Sequence, residues 1–323
     1  MNLHENKDLF TAAIQLASNP KSEGGLGIKK IYIEKDYWIC RSLKQLSECK
    51  ESEVAVFKGG TSLSKAYMLG SRFSEDIDIA ITNDSQRTDN QTKSIISRIS
   101  RAMSAGLEEV RNPATRKYSK YRKAFYRYQV TEENEIIGAI NHGQILLEIV
   151  SFANPYPYQK IFIKSFLTEY LEKTNKNDII EEFGMQGFEV QVLAKSRTAT
   201  EKLVSLIRHS LSADYISELK AKIRHFYDLH FLWNDPESRA YLKCGEFKSD
   251  FNALLSTDQA RFKEPEGWCD KKVSDSPLIS SFDKVWSELQ ETYSKELPEL
   301  AYQSIPSPES VAESFKELSA LLK

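Results

Sequence analysis

Two aspartates lie two residues apart in the run Arg72-Phe-Ser-Glu-Asp-Ile-Asp-Ile79, with isoleucines at 77, 79 and 81. That alternation is strand periodicity, so Asp76 and Asp78 leave one face while the isoleucines leave the other. Two like charges side by side repel, and a cation between or beside them relieves the repulsion. Mg²⁺ takes one or two carboxylates together with substrate phosphates, which makes the pair a candidate metal–nucleotide site. A lone Asp-x-Asp also occurs on solvent-exposed strand edges, so the pair needs a neighbour to be read further.

That neighbour is Phe57-Lys-Gly-Gly-Thr-Ser-Leu-Ser-Lys65. A short strand over 54–57 ends at Gly59 and Gly60, and a helix opens with Thr61 and Ser62. Backbone N–H groups at a helix start favour anions, and glycine lets a phosphate approach the chain closely. Thr61 and Ser62 offer hydroxyl donors; Lys65 and Arg72 complete the candidate nucleotide-binding set with Gly59 and Gly60. A third carboxylate, Glu148, sits between aliphatic residues in Leu146-Leu-Glu-Ile-Val150. It reads either as an outward residue of a half-buried strand or as a third metal ligand able to orient or deprotonate an attacking hydroxyl.

These residues need a scaffold, and the pattern supplies one. The spacing predicts a helix over 33–46 and strands over 124–130, 144–150 and 188–193. After Leu193 the character changes. Thr198-Ala-Thr-Glu201 matches a capping box ahead of a helix, and a second helix is predicted over 214–233. Two more follow, over 281–297 and from Ser307-Pro308, with serine as cap and proline at the first helical position. Strands confined to the first part and helices to the rest predict an α/β (α+β) chain of two domains, residues 1–195 and 196–323.

Composition agrees with that organisation. The 323 residues carry 44 Lys+Arg against 46 Asp+Glu, a net charge of −2, with 41% apolar and 28% charged residues. This excludes a uniformly basic nucleic-acid coat and an acidic tail protein, but not a local basic groove. No stretch is apolar for the roughly 18 residues of a membrane span, and no secretory leader is expected. The four cysteines lack C-x-x-C spacing, so neither zinc nor disulfides are expected and a cytoplasmic location is.

KGGTSLSKAY with RFSEDIDI, preceded by Glu34-Lys-Asp-Tyr-Trp38 and followed by Thr200-Glu-Lys202 and Arg224-His-Phe-Tyr-Asp-Leu229, resembles the AbiEii/AbiGii-type toxins. These are nucleotidyltransferase-fold toxins of type IV toxin–antitoxin and abortive-infection systems. The likeness covers about residues 30–235. The family's usual Gly-Ser pair is here Gly60-Thr61-Ser62, which leaves open which residue touches phosphate. The resemblance implies a nucleotidyltransferase-like mixed sheet flanked by helices, with a helical C-terminal domain. It implies Asp76 and Asp78 as metal ligands, Lys202 facing the triphosphate, and Asp228 completing the site from the helical part. Lys202 falls in the first turn of its predicted helix, a poor place for a cation without an anionic partner. Asp228, one turn after Arg224, reads on spacing alone as half of an i,i+4 pair. Glu34, Lys35 and Asp36 match the family too, as a charged helix face.

Residues 111–127 hold Arg111, Arg116, Lys117, Lys120, Arg122, Lys123 and Arg127 with no acid among them, interleaved with Tyr118, Tyr121, Phe125 and Tyr126. Such a stretch either guides RNA, with rings stacking on bases, or is a solvated loop and edge strand blunted by lysines. The function expected is Mg²⁺-dependent transfer of NMP from an NTP to an acceptor hydroxyl, with a tRNA 3′ end and a cognate antitoxin implied by the resemblance. A nucleotidyltransferase modifying a small molecule such as an antibiotic is the alternative. A Asp-x-Asp glycosyltransferase and a non-catalytic nucleotide or RNA binder are weaker ones.

Overall fold

The computed structural model describes residues 1–131 and 142–323. Two compact units divide the chain: Met1–Tyr67 with Phe73–Leu193, and Met68–Arg72 with Ala194–Lys323. Among the described residues no helix is long and apolar enough to cross a membrane.

The first unit is built on one mixed sheet. Its strands are β1 (Ala55–Lys58), β2 (Asp76–Ile81), β3 (Glu108–Val110), β4 (Arg116–Lys117), β5 (Tyr121–Arg127), β6 (Gln144–Val150), β7 (Tyr158–Ile163) and β8 (Phe188–Leu193). The spatial order is β3-β5-β6-β2-β1-β8-β7, with β4 pairing β5. The β1–β8 and β2–β6 pairs are parallel and the rest antiparallel. Helices α1 (Lys7–Ser18), α2 (Lys30–Glu48), α3 (Gly59–Ala66), α4 (Asp89–Met103), α5 (Phe166–Lys173) and α6 (Asn177–Glu182) complete the unit.

Strand alternation sets the core. Ile77, Ile79 and Ile81 of β2 are fully buried beside Leu147 and Ile149 of β6, which oppose Ile77 and Ile79 in register. Each such side chain contributes about 1.5–3 kcal/mol by leaving water. Helix α2 packs on β6 and β8 and is buried throughout residues 31–40, with Trp38 stacked on Tyr128 at 5.3 Å. Strand β7 has no counterpart in the sequence expectations. Its Tyr158, Gln159 and Lys160 are exposed, so the burial alternation that marks the other strands is missing.

The second unit is helical among its described residues: α7 (Lys195–Ser210), α8 (Tyr215–Ala221), α9 (Ile223–Asn234), α10 (Pro236–Leu242), α11 (Gly245–Arg261), α12 (Pro277–Ser280), α13 (Phe282–Leu300) and α14 (Pro308–Ala320). Phe226 of α9 packs against Trp286 of α13 and Phe315 of α14 at 5.4 and 4.9 Å, giving the unit an aromatic core. Ser307 caps α14 by accepting from Ser310 N, with Pro308 at its first position. The single helix expected over 214–233 is two, parted at Lys222, whose ψ of 14° leaves the helical region. Helix α7 starts at Lys195, three residues ahead of Thr198. The Thr-x-x-Glu pattern therefore lies inside the helix and caps nothing.

The passage Met68–Arg72 belongs to the second unit by its bonds. Ser71 N donates to the Tyr227 hydroxyl at 2.8 Å, and Tyr302 N donates to Ser71 O at 2.9 Å.

Candidate active site

The carboxylates of β2 stand on the face opposite the isoleucine core. Residues directly opposed on neighbouring strands project from the same face. Asp78 is opposed by Glu148 on β6 and by Lys58 on β1, and Glu148 by Lys123 on β5. One row therefore crosses the sheet as Lys58, Asp78, Glu148, Lys123, with Asp76 two residues along from Asp78. All five are half-buried. Sequence alternation places Asp76 with Asp78, but only the register shows that Lys58 and Lys123 flank the acidic pair.

Glu148, expected as a third metal ligand, stands beside Asp78 in register and near Lys123. Among the described residues no three His, Cys, Asp or Glu side chains gather closely enough to hold a metal ion. The Glu148 carboxylate lies 3.9 Å from Lys123 Nζ, with about a third of each side chain exposed. Burial, and then Glu148, push the Tyr121 hydroxyl well above its ordinary pKa, so Glu148 is engaged on its β5 side. The donor set that does fit a hard divalent cation is the two-carboxylate pair, because Mg²⁺ draws its other ligands from water and substrate phosphate.

Close packing at Gly59 marks the same spot. Gly59 has φ +81°, and a Cβ there would sit 2.2 Å from Asp78 Oδ2. Only glycine allows both that backbone and an Asp78 carboxylate laid against the start of α3. No side chain caps this helix start. The hydroxyls behind it are engaged internally: Thr61 Oγ1 donates to Asp76 O at 2.6 Å and Ser62 Oγ to Gly59 O at 2.9 Å, both residues being buried. Their expected role as phosphate donors gives way to a structural one. Thr61 fixes the backbone of the first aspartate. Gly59 and Gly60 remain the part of the motif that an anion can approach.

Lys65, expected on the nucleotide, is turned into the unit. Its ammonium lies 2.8 Å from Asp36 Oδ1 and 4.2 Å from the centre of the Phe166 ring, buried and turned to α2 and α5 rather than to a nucleotide. Asp36 in turn accepts from Phe166 N at 2.6 Å. The charged face expected of Glu34, Lys35 and Asp36 is buried entirely, each residue being 1–2% exposed. Glu34 accepts from Thr131 N at 2.8 Å and contacts His142 Nε2 at 3.1 Å, while Lys35 reaches Glu75 at 2.6 Å. Three successive residues of α2 thus tie down three different parts of the unit. Burial of charges on this scale survives only when each is matched.

In the second unit, Asp228 is held by two cations. Arg72 grips it with Nε and Nη2, both at 2.7 Å, and Lys202 Nζ lies 2.7 Å away. Burial would raise the Asp228 pKa, but Arg72, and then Lys202, hold it far below the usual carboxylate range. Arg72, expected on the nucleotide, is committed to Asp228 in this buried fork. The i,i+4 partner suggested by spacing, Arg224, is replaced by these two. Lys202 lies in the eighth position of α7 rather than in its first turn, so the helix-dipole argument lapses and Asp228 is the anion it meets.

The acid-free stretch 111–127 is not acid-free in space. Lys117 pairs with Glu109, Lys120 with Asp89, Arg127 with Glu108 and Lys123 with Glu148. Tyr126 is buried and bonded to Ser100, whereas Tyr118 is 63% exposed. β4 lies on the sheet edge beside β5, and basic residues paired with acids there match an edge kept soluble as much as they match an RNA path.

No curated protein matches the chain. Among solved structures, it is similar to JHP933 from Helicobacter pylori (16% identity, 91% of this chain and 93% of that one, TM-score 0.45). It is also similar to MenT4, a nucleotidyltransferase toxin from Mycobacterium tuberculosis H37Rv (14% identity, 97% and 99%, TM-score 0.46). The model of the family described as nucleotidyl transferase AbiEii toxin, type IV TA system, matches residues 41–317, which includes the glycine turn, the aspartate pair and the Asp228 cluster. By that match the chain belongs to the AbiEii family of nucleotidyltransferase toxins.

Proposed function

We propose that this toxin moves an NMP from an NTP to a hydroxyl of an RNA acceptor, with Asp76 and Asp78 as its metal-holding pair. The observation that carries this is the carboxylate pair on one face of β2, with Asp78 laid against Gly59 so closely that a Cβ there would stand 2.2 Å from its Oδ2. Mg²⁺ bound there would offset triphosphate charge and favour pyrophosphate as leaving group. The uncapped start of α3 at Gly59 and Gly60 receives phosphate oxygens. Glu148, beside Asp78 in register, is placed to accept the proton of the incoming hydroxyl. A bond forms between the acceptor oxygen and the α-phosphorus as the bond from that phosphorus to the β-phosphate oxygen breaks.

Lys202 enters this reading through the family resemblance, as positive charge for the triphosphate with Asp228 as its holder. A cytoplasmic tRNA 3′ end as acceptor, and a cognate antitoxin that restrains the activity, rest on the same resemblance. One observation favours a second reading: the pairing of Lys117, Lys120, Lys123 and Arg127 with acids weakens the field that would draw in RNA, as suits a small-molecule acceptor.

The test is incubation of the purified chain with each labelled NTP, Mg²⁺ and total tRNA, beside Asp76→Ala and Asp78→Asn. Label in tRNA with the wild type alone supports the proposal. Label on a small acceptor and on no RNA moves the assignment to the second reading. Transfer that survives both substitutions removes the aspartates from the chemistry. The expected loss in either variant is at least about 10³-fold, equivalent to about 4 kcal/mol of transition-state stabilisation.

A further inference from the structure

Lys35 and Glu75 play no part in the scheme above, yet they border it. Lys35 is 1% exposed, on the buried side of α2, and its Nζ lies 2.6 Å from Glu75 Oε2. Glu75 is the residue immediately before Asp76, and its side chain is partly exposed at 18%. Burial lowers the Lys35 pKa, while Glu75 first and Asp76 after it pull the other way, so the ammonium sits within the field of Asp76. A buried lysine is costly, and this one is kept against a half-buried carboxylate one residue from Asp76. The cost is explained if the pair has work to do at the neighbouring carboxylates.

We propose that Lys35 and Glu75 form a charge-balanced pair that sets the affinity of the Asp76–Asp78 site for a divalent cation, with Lys35 restraining Glu75 from acting as a further metal-attracting carboxylate. This rests on the metal-holding role of Asp76 and Asp78 proposed above. With both partners present, the pair adds no net charge to what a cation meets at the aspartates. Without the lysine, Glu75 adds a third negative charge next to the pair; without the glutamate, Lys35 adds a positive one. The two partners therefore act on metal affinity with opposite signs, whereas a pair serving only to hold α2 against β2 would weaken the site in the same direction whichever partner is lost. The consequence for the toxin is a resting site that takes its cation weakly, so that the cation arrives with the nucleotide's phosphates.

The experiment measures Mn²⁺ binding to the full chain, without nucleotide, by the loss of the free-ion electron paramagnetic resonance signal. Lys35→Met is expected to lower the Mn²⁺ Kd by about threefold or more, Glu75→Gln to raise it by about threefold or more, and the double variant to return it to within about twofold of wild type. Shifts of the same sign in both single variants, or no shift in either, overturn the inference. Should Lys35→Met fail to fold by circular dichroism, Glu75→Gln decides alone, and an unchanged or tighter Kd overturns it. Asp76→Asn and Asp78→Asn separate the two levels of the argument. If they bind Mn²⁺ as the wild type does, the metal-holding reading fails and this inference with it. If they lose binding while the Lys35 and Glu75 variants move together, only the inference fails.

Discussion

Asp78 in the first unit and Asp228 in the second are both aspartates on regular elements, and their surroundings differ sharply. Asp228 is 5% exposed, with a bidentate arginine and a lysine at 2.7 Å. Asp78 is half-buried, stands two residues from Asp76, and has Glu148 as its neighbour across the strands. Opposite charges closed around one carboxylate give an arrangement complete without any ligand. Asp76, Asp78 and Glu148 put three carboxylates against the two cations Lys58 and Lys123 on one sheet face, a balance that favours an incoming cation. The comparison separates a carboxylate closed in by cations from carboxylates grouped with one another.

The contrast breaks most visibly if the two aspartates are neutralised in turn. Asp228→Asn leaves Arg72 and Lys202 buried with no anion and is expected to cost about 3–5 kcal/mol, read as a lowered denaturant midpoint. Asp78→Asn removes one of several like charges grouped on one sheet face, so its cost should be well below that of Asp228→Asn. Equal losses in both would erase the distinction. Acid titration sharpens it. Because the Asp228 pKa is depressed in the fold, its contribution is complete above about pH 4, where an unfolded aspartate ionises, and drains away as pH falls through the lowered value. In Asp228→Asn the loss of stability below pH 4 should be shallower than in the wild type.

A smaller effect is expected at Gly59→Ala. A methyl group 2.2 Å from Asp78 Oδ2, on a backbone with φ +81°, should cost about 1–3 kcal/mol and also weaken Mn²⁺ binding, because the carboxylate must move. Stability lost with metal binding intact would make the glycine a turn residue only. The smallest effect belongs to Thr61→Val, which removes the bond to Asp76 O at about 1 kcal/mol. Its NTP KM should stay within about twofold of the wild type, since the hydroxyl faces the protein. A large rise in KM would return Thr61 to the nucleotide.

Much of the first unit's framework could be read from the chain because period-two alternation is a local property. Ile77, Ile79 and Ile81 announce β2 and its two faces, and Gly59-Gly60 announces the turn. What could not be read depends on contacts between segments far apart. Lys65 and Arg72 look like phosphate ligands beside a glycine turn, but their partners Asp36 and Asp228 lie 29 and 156 residues away along the chain. The basic run 111–127 meets its acids from β3, α4 and β6. Thr198 was misleading for a local reason: a Thr-x-x-Glu pattern is as easily housed within a helix, where its hydroxyl is buried without a hydrogen-bond partner. The start of α7 at Lys195 has no side-chain cap to announce it.

The buried Glu34-Lys35-Asp36 turn makes α2 a part of fixed length. Its three side chains fan out to the β5 and β6 ends, to the segment leading into β2, and to α3 with α5. Each helical residue advances the direction of projection by about 100°. One residue inserted just ahead of Glu34 would misaim all three charges together, while single substitutions would spoil one tie each. Among natural relatives and engineered variants, gaps should therefore collect on either side of this helix and leave its interior uninterrupted.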